Sequence, residues 1–225
     1  TVEEGFHLAR KAFELAERYQ GPVFILTDQF NADSYRAIAP FATEELAPIE
    51  VGSDPSTVEG PYLRHRLTPD GISPRLIPGR SRHLVVTDSD EHEEDGHLTE
   101  DLQTRVRMVQ KRLAKLEGLQ QEVVPPTYVG DDAPELLLVS WGSGKGATEE
   151  AAERLRGRGG KVATLHFSQV WPLVDGQFAG YLQRAGRVVA AIVARLPRQR
   201  RSGESPRAVT RPRIDGDRRR PTRAS

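Results

Sequence analysis

Along the first twenty residues the apolar positions Val2, Phe6, Ala9, Phe13 and Ala16 recur at alternating spacings of four and three, which predicts a helix with one apolar face. Thr1 and Glu4 have the S/T-x-x-E form of a capping box at its start. The helix ends around Tyr19 to Gly21, because Pro22 cannot continue it, and Val23-Phe24-Ile25-Leu26 reads as a short buried strand. From about Ala32 to Gly79 the periodicity fades and prolines recur, predicting a long irregular but ordered crossing anchored by scattered apolar residues. Leu84-Val85-Val86 is the next predicted strand. A helix over 99–117 follows, with Thr99 as N-cap, Glu100 and Asp101 at the positive end of its dipole, and Gly118 as its stop. Leu102, Val106, Val109, Leu113 and Leu116 share one face of it.

Residues 135–194 repeat an α/β rhythm: strand Leu136–Ser140, a glycine turn, helix Thr148–Arg156, strand Val162–Phe167, helix Gln177–Arg184 and strand Arg187–Ala194. Such alternation favours a parallel sheet whose faces are covered by helices. The fold class expected is α/β, in two parts joined by the irregular crossing.

Charge changes the picture at the carboxyl end. The formal net charge is zero, yet residues 195–225 hold eleven arginines, no lysine and three acids, a balance of +8 against −8 for the preceding residues. That tail has no aromatic residue for base stacking and no reading motif, so specific nucleic-acid recognition is not expected, and low-complexity disorder is its default reading. The absence of cysteine excludes a disulfide, a thiol nucleophile and thiolate ligation of an iron–sulfur cluster by this chain. No apolar run approaches the ~20 residues of a membrane span, and a cytoplasmic location is expected.

Three motifs invite chemistry. WGSGKGAT, residues 141–148, places glycines and a lysine between strand and helix, but Gly146 stands where a phosphate loop needs Ser or Thr, and the glycine spacing fails. A tight strand-to-helix turn is the stronger reading, with anion contact at a helix start as the alternative. DSDEHEEDGHLTED, residues 88–101, gathers eight acids with His92 and His97. It fails the EF-hand pattern at its sixth and twelfth positions, and its histidine spacing matches no common zinc pattern, so no metal is expected. A solvated lead into the helix, a subunit interface and an active-site edge stay open for it. Trp141 and Trp171, each beside a strand end, read as packing residues.

Taken together, AFELAERYQGPVFILTDQFNADS (12–34), LTPDGISPRLIPG (67–79), TDSDEHEEDGHLTED (87–101), MVQKRLAKLEGL (108–119), LLVSWGSGKGATEEAAERLR (137–156) and LHFSQVWPL (165–173) resemble, in order, the α subunit of 2-oxoacid:ferredoxin oxidoreductases, most closely the 2-oxoglutarate type. The resemblance implies the end of a thiamine-diphosphate pyrimidine-type domain followed by a transketolase C-terminal-like parallel-sheet domain. It divides the chain into 1–38, the crossing and helix at 39–133, the second domain at 134–194 and the tail at 195–225. It implies an enzyme that decarboxylates a 2-oxoacid (2-oxoglutarate, or pyruvate in sister enzymes), passes electrons to ferredoxin and forms an acyl-coenzyme A. Thiamine diphosphate, Mg²⁺ and an iron–sulfur cluster would be held largely by a β subunit in a hetero-oligomer.

The family's substrate-binding motifs and activating glutamate would lie upstream of Thr1, leaving the fragment inactive with no cofactor of its own. The arginine-rich tail departs from the family pattern after about residue 190 and reads as a frameshift product, which an unbroken frame on resequencing would refute. His92, Glu94, His97, Glu100 and Asp101 are the positions expected nearest the chemistry, at the active-site edge or coenzyme A entrance, with Asp70, Ser73 and Arg75 behind them. From another class, the chain reads as a non-catalytic α/β interaction module with a basic tail.

Overall fold

A computed structural model describes residues 1–191; the arginine-rich segment, its proposed frame change and the end of the predicted strand Arg187–Ala194 lie outside the described residues. The first helix, α1 (Val2–Tyr19), forms as expected: Thr1 and Glu4 make a complete capping box and Gln20 closes the helix in the left-handed conformation. Phe6 of α1 stacks on Phe41, at 3.9 Å between ring centres, drawing part of the crossing onto the helix. A single turn, α2 (Gln29–Asp33), is capped by Asp28.

Residues 23–26 do not form the predicted strand. No described strand lies beside them to take their hydrogen bonds, and without a sheet to join, the run stays irregular with Phe24 82% and Leu26 64% exposed. Leu84-Val85-Val86 also lacks strand pairing, and Leu84 is exposed. Between them the crossing is irregular as expected, with two short 3₁₀ turns at Thr43–Glu45 and Pro55–Thr57. It is pinned by close backbone approaches. At Gly71 (φ 76°) a Cβ would sit 2.2 Å from the Lys111 carbonyl oxygen, and at Gly96 (φ 98°) 2.0 Å from that of Val86, so only glycine fits.

The long helix α3 (Leu102–Gln121) starts one cap later than predicted. Asp101 is its N-cap, accepting from the Thr104 amide at 2.7 Å, while Thr99 Oγ1 accepts from the Asp101 amide at 3.2 Å. Gly118 does not stop the helix; it lies against the Tyr19 ring, where a Cβ would come within 2.9 Å of Cε1.

An apolar helix face ordinarily turns inward, but α3 does the reverse. Leu102, Val106, Val109 and Leu113 are exposed, at 75%, 55%, 37% and 64%. The inward side is Thr104, Met108, Lys111, Lys115 and Gly118, held by polar contacts. Lys111 Nζ donates to the His65 carbonyl at 3.0 Å and Lys115 Nζ to that of Gln20 at 3.3 Å. Beyond the helix, Glu122 accepts from Tyr19 Oη (2.7 Å), Lys11 Nζ (2.9 Å) and Arg18 Nη1 (2.5 Å). Burial opposes the Glu122 charge, but these donors bring its pKa down to about 2.

The α/β rhythm yields a four-stranded sheet in the order β1-β3-β2-β4, from β1 (Thr127–Gly130), β2 (Leu136–Trp141), β3 (Val162–Phe167) and β4 (Val188–Ala191). β2, β3 and β4 are parallel; β1, which the sequence reading missed, adds antiparallel to β3. α4 (Lys145–Arg156) links β2 to β3, and a 3₁₀ turn followed by α5 (Ala179–Arg184) links β3 to β4. β3 is buried almost throughout, as a strand covered on both faces must be. Leu137, Ala163 and Leu165, fully buried, form the core, with Tyr128, Phe167, Phe178 and Tyr181 packed around them. Trp141 and Trp171 are not packing residues: they stand 44% and 75% exposed.

Truncating Leu137 to alanine should cost about 2–5 kcal/mol of unfolding free energy, because it opens a cavity in this core. The same change at Leu113 should stay within about 0.5 kcal/mol, since its side chain is already in solvent. Urea denaturation of both variants checks the sheet core and the outward apolar face of α3 together.

Candidate functional site

The acidic segment is a tight hairpin-like loop rather than a solvated run. The Glu93 amide donates to the His97 carbonyl (2.9 Å), that of Gly96 to Glu93 (3.0 Å) and that of Thr99 to Glu91 (2.9 Å), with a bridge between His92 and Leu98. Its half-buried glutamates each have a partner. Glu91 takes both Nη groups of Arg112, and Glu93 accepts from Thr104 Oγ1 at 3.1 Å. Glu94 clamps the crossing: its carbonyl accepts from the His65 amide at 2.8 Å and its carboxylate from the Leu67 amide at 2.7 Å.

His65, which the sequence reading passed over, is the centre of this region. Its ring lies 3.7 Å from that of His92, centre to centre, and its Nε2 is 3.1 Å from Thr87 Oγ1. Burial first, then the neighbouring His92, Arg64, Lys111 and Arg112, push its pKa down to about 3. Lys111 is held at about 8, chiefly by burial and then by Lys115, Arg64 and Arg112, with Glu94 opposing. A half-buried cationic group of Arg64, Lys111 and Lys115 therefore backs the loop. The signal for it was present in the R-H-R triplet at 64–66 and in the three-and-four spacing of Thr104, Met108, Lys111, Lys115 and Gly118.

The expected site residues divide into two groups. His92 and Glu94 meet around His65, as above. His97 is exposed beside Asp95 (3.1 Å), Asp101 serves as the α3 cap, and Glu100 is exposed. On the other side of residues 65–67, Asp70 caps the Ile72 amide at 3.0 Å, and buried Ser73 donates from Oγ to the Arg66 carbonyl at 2.8 Å. Asp70 and Ser73 line a cleft of about 560 Å³ with Ser53, Thr57, Arg66 and Thr68. Arg75 is turned away from the loop toward Glu17, which it pairs with. The hydroxyls of Thr57, Thr68 and Ser73 donate to main-chain carbonyls, which leaves Arg66 and the Ser53 hydroxyl as the donors suited to a carboxylate or phosphate group. Among the described residues no group of three or more acidic or histidine side chains is arranged to hold a metal ion.

The glycine turn 142–144 has a structural occupation. Lys145 at the start of α4 donates to Glu4 of α1 at 2.6 Å, and Ser143 Oγ donates to Asp28. Burial opposes the Glu4 charge, but the bond from Lys145 and the chain amine lower its pKa to about 2. Close by, at the carboxyl ends of adjacent parallel strands, Ser140 Oγ lies 3.0 Å from His166 Nδ1, both nearly fully buried. Connections leave β2 and β3 for opposite sides of the sheet order, the position where open α/β sheets form a crevice. Here the first turn of α1 is seated beside it.

Comparison with known proteins adds a lineage to this geometry. A family described as pyruvate flavodoxin/ferredoxin oxidoreductase, thiamine diphosphate-binding, matches residues 1–111. A 2-oxoacid:ferredoxin oxidoreductase α subunit of Aeropyrum pernix is 36% identical over 194 residues, 83% of this chain and 30% of that one. Its counterpart in Sulfurisphaera tokodaii is 36% identical over 155 residues, 67% of this chain and 24% of that one. The 2-oxoglutarate oxidoreductase subunit KorA of Mycobacterium tuberculosis is 31% identical over 189 residues, covering 82% and 28%. Among solved structures, the 2-oxoglutarate:ferredoxin oxidoreductase of Magnetococcus marinus, with 2-oxoglutarate, coenzyme A and succinyl-CoA bound, superposes with a TM-score of 0.71 at 27% identity, over 79% of this chain and 31% of that one. The chain thus spans about a quarter to a third of the length of these relatives.

The depressed His65 gives a pH signature. Above pH 6.5 the ring is neutral whether the chain is folded or not; as pH falls through 6.5 toward 3 only the unfolded chain takes the proton, so stability falls. Urea midpoints measured from pH 7.5 to 5 should drop steadily, and His65→Gln should flatten most of the slope. His166, also depressed chiefly by burial, leaves a residual slope. An unchanged slope in the variant would show that His65 is not the buried group.

Proposed function

Since the chain belongs to the 2-oxoacid:ferredoxin oxidoreductase α-subunit family, we propose that it forms part of the α subunit of a 2-oxoglutarate-type enzyme in the cytoplasm, one that makes an acyl-coenzyme A and passes electrons to ferredoxin. The observation that carries this reading is the coincidence of the family match at 1–111 with the two irregular segments that have no generic α/β explanation, the Glu94 clamp and the Asp70–Ser73 cleft. Chance likeness between α/β rhythms would favour the strands and helices instead.

Thiamine diphosphate would serve in the assembled enzyme as the group on which the 2-oxoacid loses CO₂. The described residues do not themselves fit it: residues 23–26 are exposed and form no strand, and among the described residues no oxygen-ligand cluster for Mg²⁺ is formed. In this reading the cofactor, Mg²⁺ and the iron–sulfur cluster reside largely on a β subunit, and the complex is a hetero-oligomer. This chain's part is to shape an edge. Arg66 with the hydroxyl of Ser53 offers donors to an anionic group of coenzyme A or of the 2-oxoacid, while Thr57 and Thr68 donate to the carbonyls of Asp54 and Ile72 and shape the cleft wall. Glu94 holds residues 65–67 from the other side, with His92 against the His65 ring and His97, Glu100 and Asp101 further along the same loop, and Arg75 braces the crossing against α1.

Two measurements test the reading. Calorimetry on this chain alone should show no thiamine diphosphate binding, and micromolar affinity would contradict the assignment of the cofactor to another polypeptide. Co-expression of the complete α subunit with its thiamine-domain partner should give coenzyme A-dependent reduction of a dye by 2-oxoglutarate, faster than by pyruvate. In that complex Arg66→Gln should raise the KM for the anionic substrate by about tenfold, the order expected for one lost charged hydrogen bond. No complex and no activity would favour a non-catalytic interaction module.

A further inference from the structure

Arginine supplies nearly all of the positive charge in this chain: the sequence holds 27 arginines against five lysines. Three of the five have ordinary settings. Lys11 is paired with Glu122 at 2.9 Å, Lys145 with Glu4 at 2.6 Å, and Lys161 is exposed. The other two, Lys111 and Lys115, lie one turn apart on the inward side of α3, half-buried, and among the described residues neither is paired with a carboxylate. Their amines end on the neutral carbonyls of His65 and Gln20. Around them stand Arg64, which donates to Gln20 Oε1 at 2.9 Å, and Arg112, which is paired with Glu91. Glu94, whose carboxylate is engaged by the Leu67 amide, opposes these charges.

The choice of lysine here has a chemical meaning. A guanidinium keeps its charge in a protein, whereas a lysine pressed by burial and by like charges can release its proton. An amine desolvated beside other cations is the setting that turns lysine into a nucleophile. Lys111 meets it most fully, with Lys115, Arg64 and Arg112 all pressing on it. The stem of Lys115 is instead closed over by Gly71, whose Cβ position lies 2.9 Å from Lys115 Cγ.

We infer that Lys111 is a self-acylation site, whose amine attacks the thioester carbonyl of an acyl-coenzyme A bearing a second, terminal carboxylate. The nitrogen–carbon bond forms as the carbon–sulfur bond breaks, and the proton shed by the amine ends on the departing coenzyme A thiol. No oxidant or further reactant is needed. The resulting amide keeps one N–H for the His65 carbonyl, and its carboxylate replaces a positive charge with a negative one among Arg64, Lys115 and Arg112. Crowded cations thereby gain the counter-charge that the unmodified chain does not give them. The inference rests on the proposed reaction only for the source of the thioester: decarboxylation of 2-oxoglutarate with transfer to coenzyme A yields succinyl-coenzyme A, which has this chemistry.

The test needs no variant. The full chain is incubated with synthetic succinyl-coenzyme A or acetyl-coenzyme A, and the occupancy of each lysine is followed by peptide mass spectrometry, with exposed Lys161 as the internal reference. At pH 8 Lys111 should be succinylated about fivefold faster than Lys161. Its rate should level off above about pH 8, where its amine is already largely unprotonated, while that of Lys161 keeps climbing toward the ordinary lysine range. The ratio of Lys111 to Lys161 labelling should be about threefold higher with the succinyl than with the acetyl thioester, because only the former brings a carboxylate to the cations. Since the thioester is supplied, the result does not depend on the enzyme assignment, which the co-expression assay decides separately. Lys111 labelled no faster than Lys161, Lys115 labelled ahead of it, a Lys111 rate that rises with pH without levelling, or equal ratios for the two thioesters would each overturn the inference.

Discussion

The described structure turns on the way α3 is held by its polar side. Lys111 and Lys115 donate to the main-chain carbonyls of His65 and Gln20, the carboxylate of Glu122 gathers three donors from α1, and Gly118 admits the Tyr19 ring. Through these contacts one helix fixes α1, the crossing and the loop of His92 and Glu94 in a single arrangement. Burying two lysines beside arginines is costly, as the lowered pKa of each records. The return is positional: carbonyls of irregular chain, which no ladder would satisfy, acquire donors. Electrostatics here orders backbone that apolar packing alone would leave undetermined.

That arrangement also explains which parts of the fold were legible. Leu136–Trp141 and Val162–Phe167 could be read as strands because each is a short, largely apolar run with glycine near one end, Gly142 after the first and Gly160 before the second, and both pair where the rhythm places them. Thr1 with Glu4 declared the start of α1 just as plainly. The same logic failed at Val23–Leu26, where composition was right for a strand but pairing was missing, and strand identity belongs to the pair rather than to the segment. At α3 it gave the helix and its apolar face but not the packing, because periodicity shows that a helix has two unlike faces without showing which one the rest of the chain will cover. The contacts that decide it join residues far apart in sequence, Lys115 with Gln20 and Lys111 with His65.

The geometry of the two candidate segments was legible in outline and not in detail. The acidic loop and the 67–79 segment stood out as irregular yet specific, and the structure gives both a built geometry. The roles inside them shifted. Glu94 and Asp101 are occupied with backbone amides, Arg75 is paired with Glu17, and the less conspicuous His65 and Arg66 are the groups found against the His92 ring and in the cleft. Charge density drew attention to the loop, whereas burial and unspent hydrogen-bonding capacity identify the groups available to a ligand.

At Gly71 and Gly96 the backbone runs so close to another backbone that a single methyl group would overlap a carbonyl oxygen. These two positions act as rivets in a sheet of chain that has almost no weave of its own. A segment of this kind does not fray residue by residue as a helix end does. Its form is kept where backbones meet at these two points and where buried Val58, Ser73 and Leu76 anchor it. Tolerance of substitution along the crossing is therefore divided into long permissive stretches and isolated points that admit no replacement.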